Sequence, residues 1–122
     1  MNPGGNKKNK MAEGIIEYGD FEKMDLRVAE VENVEEIEGA DKLYKLTVSI
    51  GEEVRTICAG IKEHYSREDL KGKKIIVLTN LAPRTLRGVE SQGMLLAASN
   101  KDHSKISLIS PDQDMDPGDS VS

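Results

Sequence analysis

Apolar residues recur along the chain in short alternating runs separated by turn residues, with no long helical period. Leu46, Val48 and Ile50 alternate with Lys45, Thr47 and Ser49, which predicts a half-buried strand. Gly51-Glu52-Glu53 then turns the chain into a second run, 54–59, so the two are expected to form a hairpin that Gly60 ends. Upstream, 26–34 alternates imperfectly: Leu26 and Val28 share one phase, Ala29 and Val31 the other, a slip that suggests a bulge or strong coiling. Downstream, 73–81 contains Ile-Ile-Val-Leu and predicts a central strand, followed by strands over 94–99 and 105–109 and a last short pairing over 118–121. Ser66 and Asp69 have capping-box spacing, which predicts a short helix over 66–70. Near the start, Ile15, Ile16 and Tyr18 read as an edge strand, and Asp20 as the N-cap of a turn over 21–25.

Five or six short strands with a helix between the third and fourth outline a small closed all-β barrel. The helix position is the one an OB-fold uses; an SH3-like barrel and a small sandwich are the rivals. At 122 residues the chain is expected to be one domain, residues 14–122, with short helices and terminal extensions, preceded by a polar basic arm, residues 1–13, that is expected to be disordered. No apolar run approaches the ~18 residues of a membrane span, and no apolar segment follows the basic start as in a secretory signal. With a single cysteine, Cys58, no intrachain disulfide or cysteine-based metal site can form, so the expected compartment is the reducing cytoplasm.

Net charge is −5, which argues against whole-molecule attraction to a polyanion. The charge is unevenly distributed, however. Residues 13–41 hold eleven acidic and two basic side chains, whereas residues 42–105 hold twelve basic and seven acidic. A local basic surface is compatible with this.

Enzymatic chemistry finds little support. His64 and His103 lie in polar stretches without metal-ligand spacing, and no phosphate-binding loop or nucleophile elbow occurs. Neither a cofactor nor a small-molecule substrate is expected. Cys58, between Ile57 and Ala59, reads as a small buried hydrophobe. The stretch 80–98, N-L-A-P-R-T-L-R-G-V-E-S-Q-G-M-L-L-A-A, is the sharpest signal. Pro83, Gly88 and Gly93 shape it as a loop between two strands, and it gathers Asn80, Arg84, Arg87, Ser91 and Gln92. Guanidinium forks match phosphates, and hydroxyls and amides match sugars and base edges. Arg27 has two readings, a strand-edge partner for a nearby acid or a phosphate contact. Only four aromatics occur, Tyr18, Phe21, Tyr44 and Tyr65, too few for the stacking platforms of single-strand binders. A folded RNA, read through phosphates, 2′-hydroxyls and a few exposed bases, is the better match.

At these residues the sequence resembles the tRNA-binding domain of the methionyl-tRNA synthetase C-terminal or β-subunit type. The run Leu81 to Ala98 carries the resemblance, together with D-L-R-V (25–28), A-D-K-L-Y (40–44), I-C-A-G-I (57–61) and I-I-V-L-T-N-L (75–81), over about residues 18–122. Stand-alone tRNA-binding proteins and the CsaA chaperone share the pattern. The resemblance implies an OB-fold and a non-catalytic homodimer that binds the outer corner of L-shaped tRNA with little sequence preference. The implied partners are tRNA and a methionyl-tRNA synthetase catalytic chain. It implies tRNA contacts at Arg27, Lys42, Asn80, Arg84, Arg87, Ser91 and Met94, with Gln92 close by and Gly88 and Gly93 shaping the loop. Ala82 and Thr85 stand where many relatives carry lysine. A peptide-binding export chaperone like CsaA, and a module that mainly tethers synthetases, are the alternatives.

Overall fold

The computed structural model describes residues 14–122; the expected arm, residues 1–13, lies outside the described residues. Residues 15–17 are not a strand. The chain instead enters a short helix, α1 (Tyr18–Glu22), whose start is one turn earlier than the sequence suggests: Glu17 is the N-cap, and its N–H donates to the Asp20 carboxylate at 3.1 Å.

Strand β1 (Leu26–Glu36) is the spine of the barrel. Its first half pairs antiparallel with β4 (Lys74–Leu78), and its second half pairs with β2 (Tyr44–Ser49). The two apolar phases read from the sequence are two faces of this strand. Leu26 and Val28 pack with Ile76 beneath Phe21 of α1, whereas Ala29 and Val31 enter the barrel core with Leu46, Val48, Ile57 and Ile75. The irregularity lies a little further on. Register with β2 shifts between Val31 and Asn33, which brings Val34, otherwise of the wrong phase, into the same core.

β2 and β3 (Val54–Ala59) form the expected hairpin, closed by Ile50 N–H donating to the Glu53 carbonyl at 2.9 Å. Helix α2 (Arg67–Leu70) follows, with Ser66 Oγ accepting from Asp69 N–H at 3.1 Å and Leu70 buried beneath the barrel. The stretch after β4 is not a plain loop. It contains a two-stranded hairpin, β5 (Arg84–Leu86) and β6 (Val89–Ser91), before β7 (Met94–Leu95) returns to β4. The predicted strand over 94–99 breaks at Leu96. β8 (Ala97–Ser99) leaves the barrel sheet and pairs with β9 (Ile106–Leu108), and β10 (Ser120–Val121) pairs with the start of β1.

The main sheet runs β3-β2-β1-β4-β7, and the barrel nearly closes where β7 comes back beside β3. The fold is all-β and OB-like, with five antiparallel barrel strands and short helices. Residues 79–93 therefore occupy the connection between the fourth and fifth barrel strands, and residues 37–43 the connection between the first and second. In an OB-fold these two connections flank the β2–β3 face.

Candidate nucleic-acid interface

Ser91 and Gln92 close the barrel with side chains where a strand ladder is missing. Gln92 N–H donates to the Thr56 carbonyl at 2.7 Å, and Gln92 Oε1 accepts from Thr56 N–H at 2.9 Å. One step along β3, Ser91 Oγ accepts from Cys58 N–H at 2.9 Å and donates to the Gly93 carbonyl at 3.1 Å. Ser91 is buried. Arg55 seals the same seam, donating through Nη1 to the carbonyls of Thr79 (2.7 Å) and Gln92 (3.1 Å) while its Nε bonds Glu53 at 2.7 Å. Gly93 permits this approach. Its φ is 137°, and a Cβ there would sit 2.8 Å from the Leu78 carbonyl oxygen.

Asn80, Ser91 and Gln92 all have protein partners: the Ser91 hydroxyl is buried and committed twice, Gln92 is held through Oε1, and Asn80 is exposed. Asn80 Oδ1 accepts from Asp25 N–H at 2.8 Å and its Nδ2 donates to the Lys23 carbonyl, tying the 80–94 segment to the chain entering β1. Arg27 follows the first of its two readings. Its Nε donates to Asp25 Oδ1 at 2.7 Å and its Nη1 to the Gly118 carbonyl at 3.1 Å. That guanidinium holds the Asp25 carboxyl below the usual aspartate value. Arg27 and Arg55 share a hollow with Asp25, Glu52, Glu53 and Asp119, so acids outnumber bases there. A phosphate is poorly matched to that end of the barrel.

The remaining residues form a different surface. The β5–β6 hairpin turns on Arg87 and Gly88, with φ of 52° and 81°, flanked by the facing pair Leu86 and Val89. Two consecutive positive φ values in a two-residue loop are those of a type I′ turn, whose first place is usually taken by Asn, Asp or Gly. Arg87 is held there on the exposed hairpin tip. Arg84 is exposed in the strand leading to it, and Pro83 is exposed just before. Among the described residues neither guanidinium makes an ion pair or side-chain hydrogen bond. Arg87 lines one groove with Lys42, Leu43 and residues 39–41. Arg84 and Met94 line an adjoining one with Leu43, Leu81, Ala82 and Leu86. Leu43 is the wall common to both, so the two strand connections meet across it.

Cys58 departs from its sequence reading. It lies on the outward phase of β3, half-buried, lining the Arg84–Met94 groove, with its Sγ 3.9 Å from the Val89 carbonyl oxygen. Burial pushes the thiol up, against the opposing pull of the Lys45 ammonium. Leu43, Leu81 and Leu86 were not legible as site residues, since isolated leucines in a polar loop carry no signal of their own. None of the four aromatics lines either groove; Tyr44 and Tyr65 are used in the core, where Tyr44 Oη donates to the Tyr65 carbonyl at 2.8 Å. Among the described residues no group of three His, Cys, Asp or Glu is placed to hold a metal ion, and no helix is long and apolar enough to cross a membrane.

A family model described as "Putative tRNA binding domain" matches residues 26–120, nearly the whole of the barrel. The chain belongs to the tRNA-binding domain family. The chain is 52% identical over 119 residues to part of a methionine–tRNA ligase of Caldanaerobacter subterraneus subsp. tengcongensis, covering 95% of this chain and 18% of that protein. It is 47% identical over 109 residues to part of the methionine–tRNA ligase of Deinococcus radiodurans, covering 89% of this chain and 16% of that protein. The chain thus spans less than a fifth of these curated relatives, and it is a domain of the kind found in methionyl-tRNA synthetases. Among solved structures it is similar to a MetRS related protein from Pyrococcus horikoshii, with TM-score 0.83, 39% identity, and coverage of 88% of this chain and 98% of that one. It is also similar to the CsaA chaperone protein from Picrophilus torridus, with TM-score 0.80, 32% identity, and coverage of 88% and 100%.

Proposed function

We propose that this tRNA-binding domain grips the outer corner of L-shaped tRNA by shape, with Arg84 and Arg87 on phosphates and Lys42 completing the positive rim. The observation that supports it is the pair of exposed guanidiniums on one hairpin, unpaired among the described residues, with Lys42 across Leu43. Serving RNA, that pair supplies planar donors to phosphate; in a purely structural hairpin it would only add charge. Met94, 43% exposed beside Arg84, adds an apolar contact. Ser91 and Gln92 position that surface by closing the barrel seam, and Asn80 and Arg27 by tying their segments to the chain entering β1 and to Gly118.

In this reading the domain performs no chemistry. It works in the cytoplasm as a β-subunit, appended domain or trans-acting cofactor of methionyl-tRNA synthetase, raising the local concentration of tRNA at the catalytic chain. A homodimer suits the exposed apolar side chains Ile15, Ile16 and Tyr18 at one end of the chain and Ile109 and Met115 towards the other. Light scattering that gives the 13.4 kDa monomer at all concentrations would remove the dimer from this account.

A filter-binding titration tests the shape claim. Unfractionated tRNA is expected to bind more tightly than a straight RNA duplex of equal length at the same salt. Equal affinities would reduce the interaction to charge alone. The CsaA-like reading draws on the leucines beside Arg84, which suit an unfolded peptide; displacement of bound tRNA by a denatured protein would favour it.

A further inference from the structure

The Arg84–Met94 groove has properties that phosphate binding does not use. Its volume is about 260 Å³, below the ~300–1,000 Å³ of pockets that enclose drug-sized ligands. Leu43, Leu81, Ala82, Leu86 and Met94 line it, together with Cys58. Leu81 and Met94 are 37% and 43% exposed, which leaves two large apolar side chains facing solvent beside a cationic rim. Ser91, the polar side chain at its base, has its hydroxyl committed to Cys58 and Gly93.

We propose that this groove takes one unstacked nucleobase of the bound RNA, with Arg84 at the rim on the adjoining phosphate. The inference rests on the RNA-binding reading above and deepens it. Charge and polarity fit this occupant together. A nucleotide is an apolar-faced ring joined to an anion, and the groove is an apolar slot joined to a guanidinium, with the Lys42 and Arg87 rim on the far side of Leu43. An apolar peptide side chain would use the slot, but only a neighbouring carboxylate or carbonyl of the peptide would engage the arginine, whereas every nucleotide carries its own anion. The side chains of the slot are mostly apolar and offer mainly contact. The slot therefore accepts any base, which suits recognition of a fold whose corner exposes unpaired bases.

The chain has one cysteine, and it lies in this groove, so the native protein carries its own reporter. Maleimide labelling of Cys58 is followed with and without saturating unfractionated tRNA, with binding measured in parallel on filters. Bound tRNA is expected to slow labelling about tenfold or more. Adenosine monophosphate in the millimolar range should protect as well, and ribose 5-phosphate should not. Gly60→Leu supplies the second arm. A Cβ at Gly60 meets Leu43 Cδ2 at only ordinary contact distance, 3.9 Å, so the new side chain fills the slot without a backbone clash. This variant is expected to bind tRNA roughly tenfold more weakly, as when one base is no longer seated, with the salt dependence unchanged because the phosphate partners remain. Cys58 labelled at the free rate on filter-bound tRNA, equal protection by ribose 5-phosphate, or wild-type affinity in Gly60→Leu would each overturn the base slot while leaving RNA binding in place. Protection by denatured, carboxymethylated protein but not by tRNA would overturn it in favour of a peptide. Absence of tRNA binding would remove both readings.

Discussion

The hydroxyl of Ser91, at the end of β6, accepts the backbone N–H of Cys58 on β3 at 2.9 Å, just before β7 closes the barrel. Together with the Gln92 side chain on Thr56, it does there what a strand ladder does elsewhere in the barrel. The Ser-Gln-Gly-Met run is therefore a closing device. It fixes the base of the β5–β6 hairpin, and with it the position of both exposed arginines.

Ser91→Ala should expose the weakness of that seam. It leaves the Cys58 N–H and the Gly93 carbonyl without their partner in a buried place, which costs about 1–3 kcal/mol. Urea unfolding is the measurement, and a midpoint unchanged from wild type would mean that the Ser91 hydroxyl contributes nothing to the seam. The tRNA affinity of the folded variant should fall as well, because the hairpin is no longer held.

Arg87 offers the opposite trade. Its φ of 52° is strained for a long side chain and easy for asparagine. Arg87→Asn is expected to stabilise the domain by ~0.5–1 kcal/mol and to weaken tRNA binding. A gain in thermal midpoint accompanied by loss of affinity is the outcome that marks a residue kept for function. Loss of stability would show that the guanidinium packs usefully on the hairpin.

The Asp25–Arg27 pair predicts a response on the acid side. Its hydrogen bond to Arg27 holds the Asp25 carboxyl below its ordinary 3.8, so the pair's contribution is complete above that value. It fades as pH falls through the lower folded value, because the unfolded chain takes up the proton first. Denaturant midpoints measured from about pH 7 to about pH 3 should fall less steeply in Asp25→Asn than in wild type. Asp114, lowered in the same direction by Lys74, should leave part of the acid response in place.

Much of this fold was legible because strand periodicity and turn chemistry agree at most points. The β2–β3 hairpin, the Ser66 cap and a last short pairing near 118–121 follow from patterns two to six residues long, though the partner of that last pairing, β1, came only from the structure. The β5–β6 hairpin was not legible, since Arg-Gly at its turn lacks the usual Asn or Asp and its strands are only three residues long. The edge strand expected at Ile15–Tyr18 failed for another reason. The Glu17–Asp20 cap starts a helix at Tyr18, which leaves Ile15 and Ile16 in the irregular segment before it. In the site, residue type marked Arg84 and Arg87, which stand exposed on the hairpin. It also marked Asn80 and Ser91, whose partners Lys23, Asp25 and Cys58 are remote in sequence and cannot be read from a local pattern.

The salt dependence of tRNA binding tests the role of the two hairpin arginines most directly. Log affinity is measured against log salt concentration for wild type and for the Arg84→Ala/Arg87→Ala double variant. Without its two guanidiniums on phosphate, the variant should show a slope flatter by about two units, roughly one per arginine, and a lower affinity at low salt. An unchanged slope and affinity would contradict the account, because the RNA would then be held by some other part of the barrel.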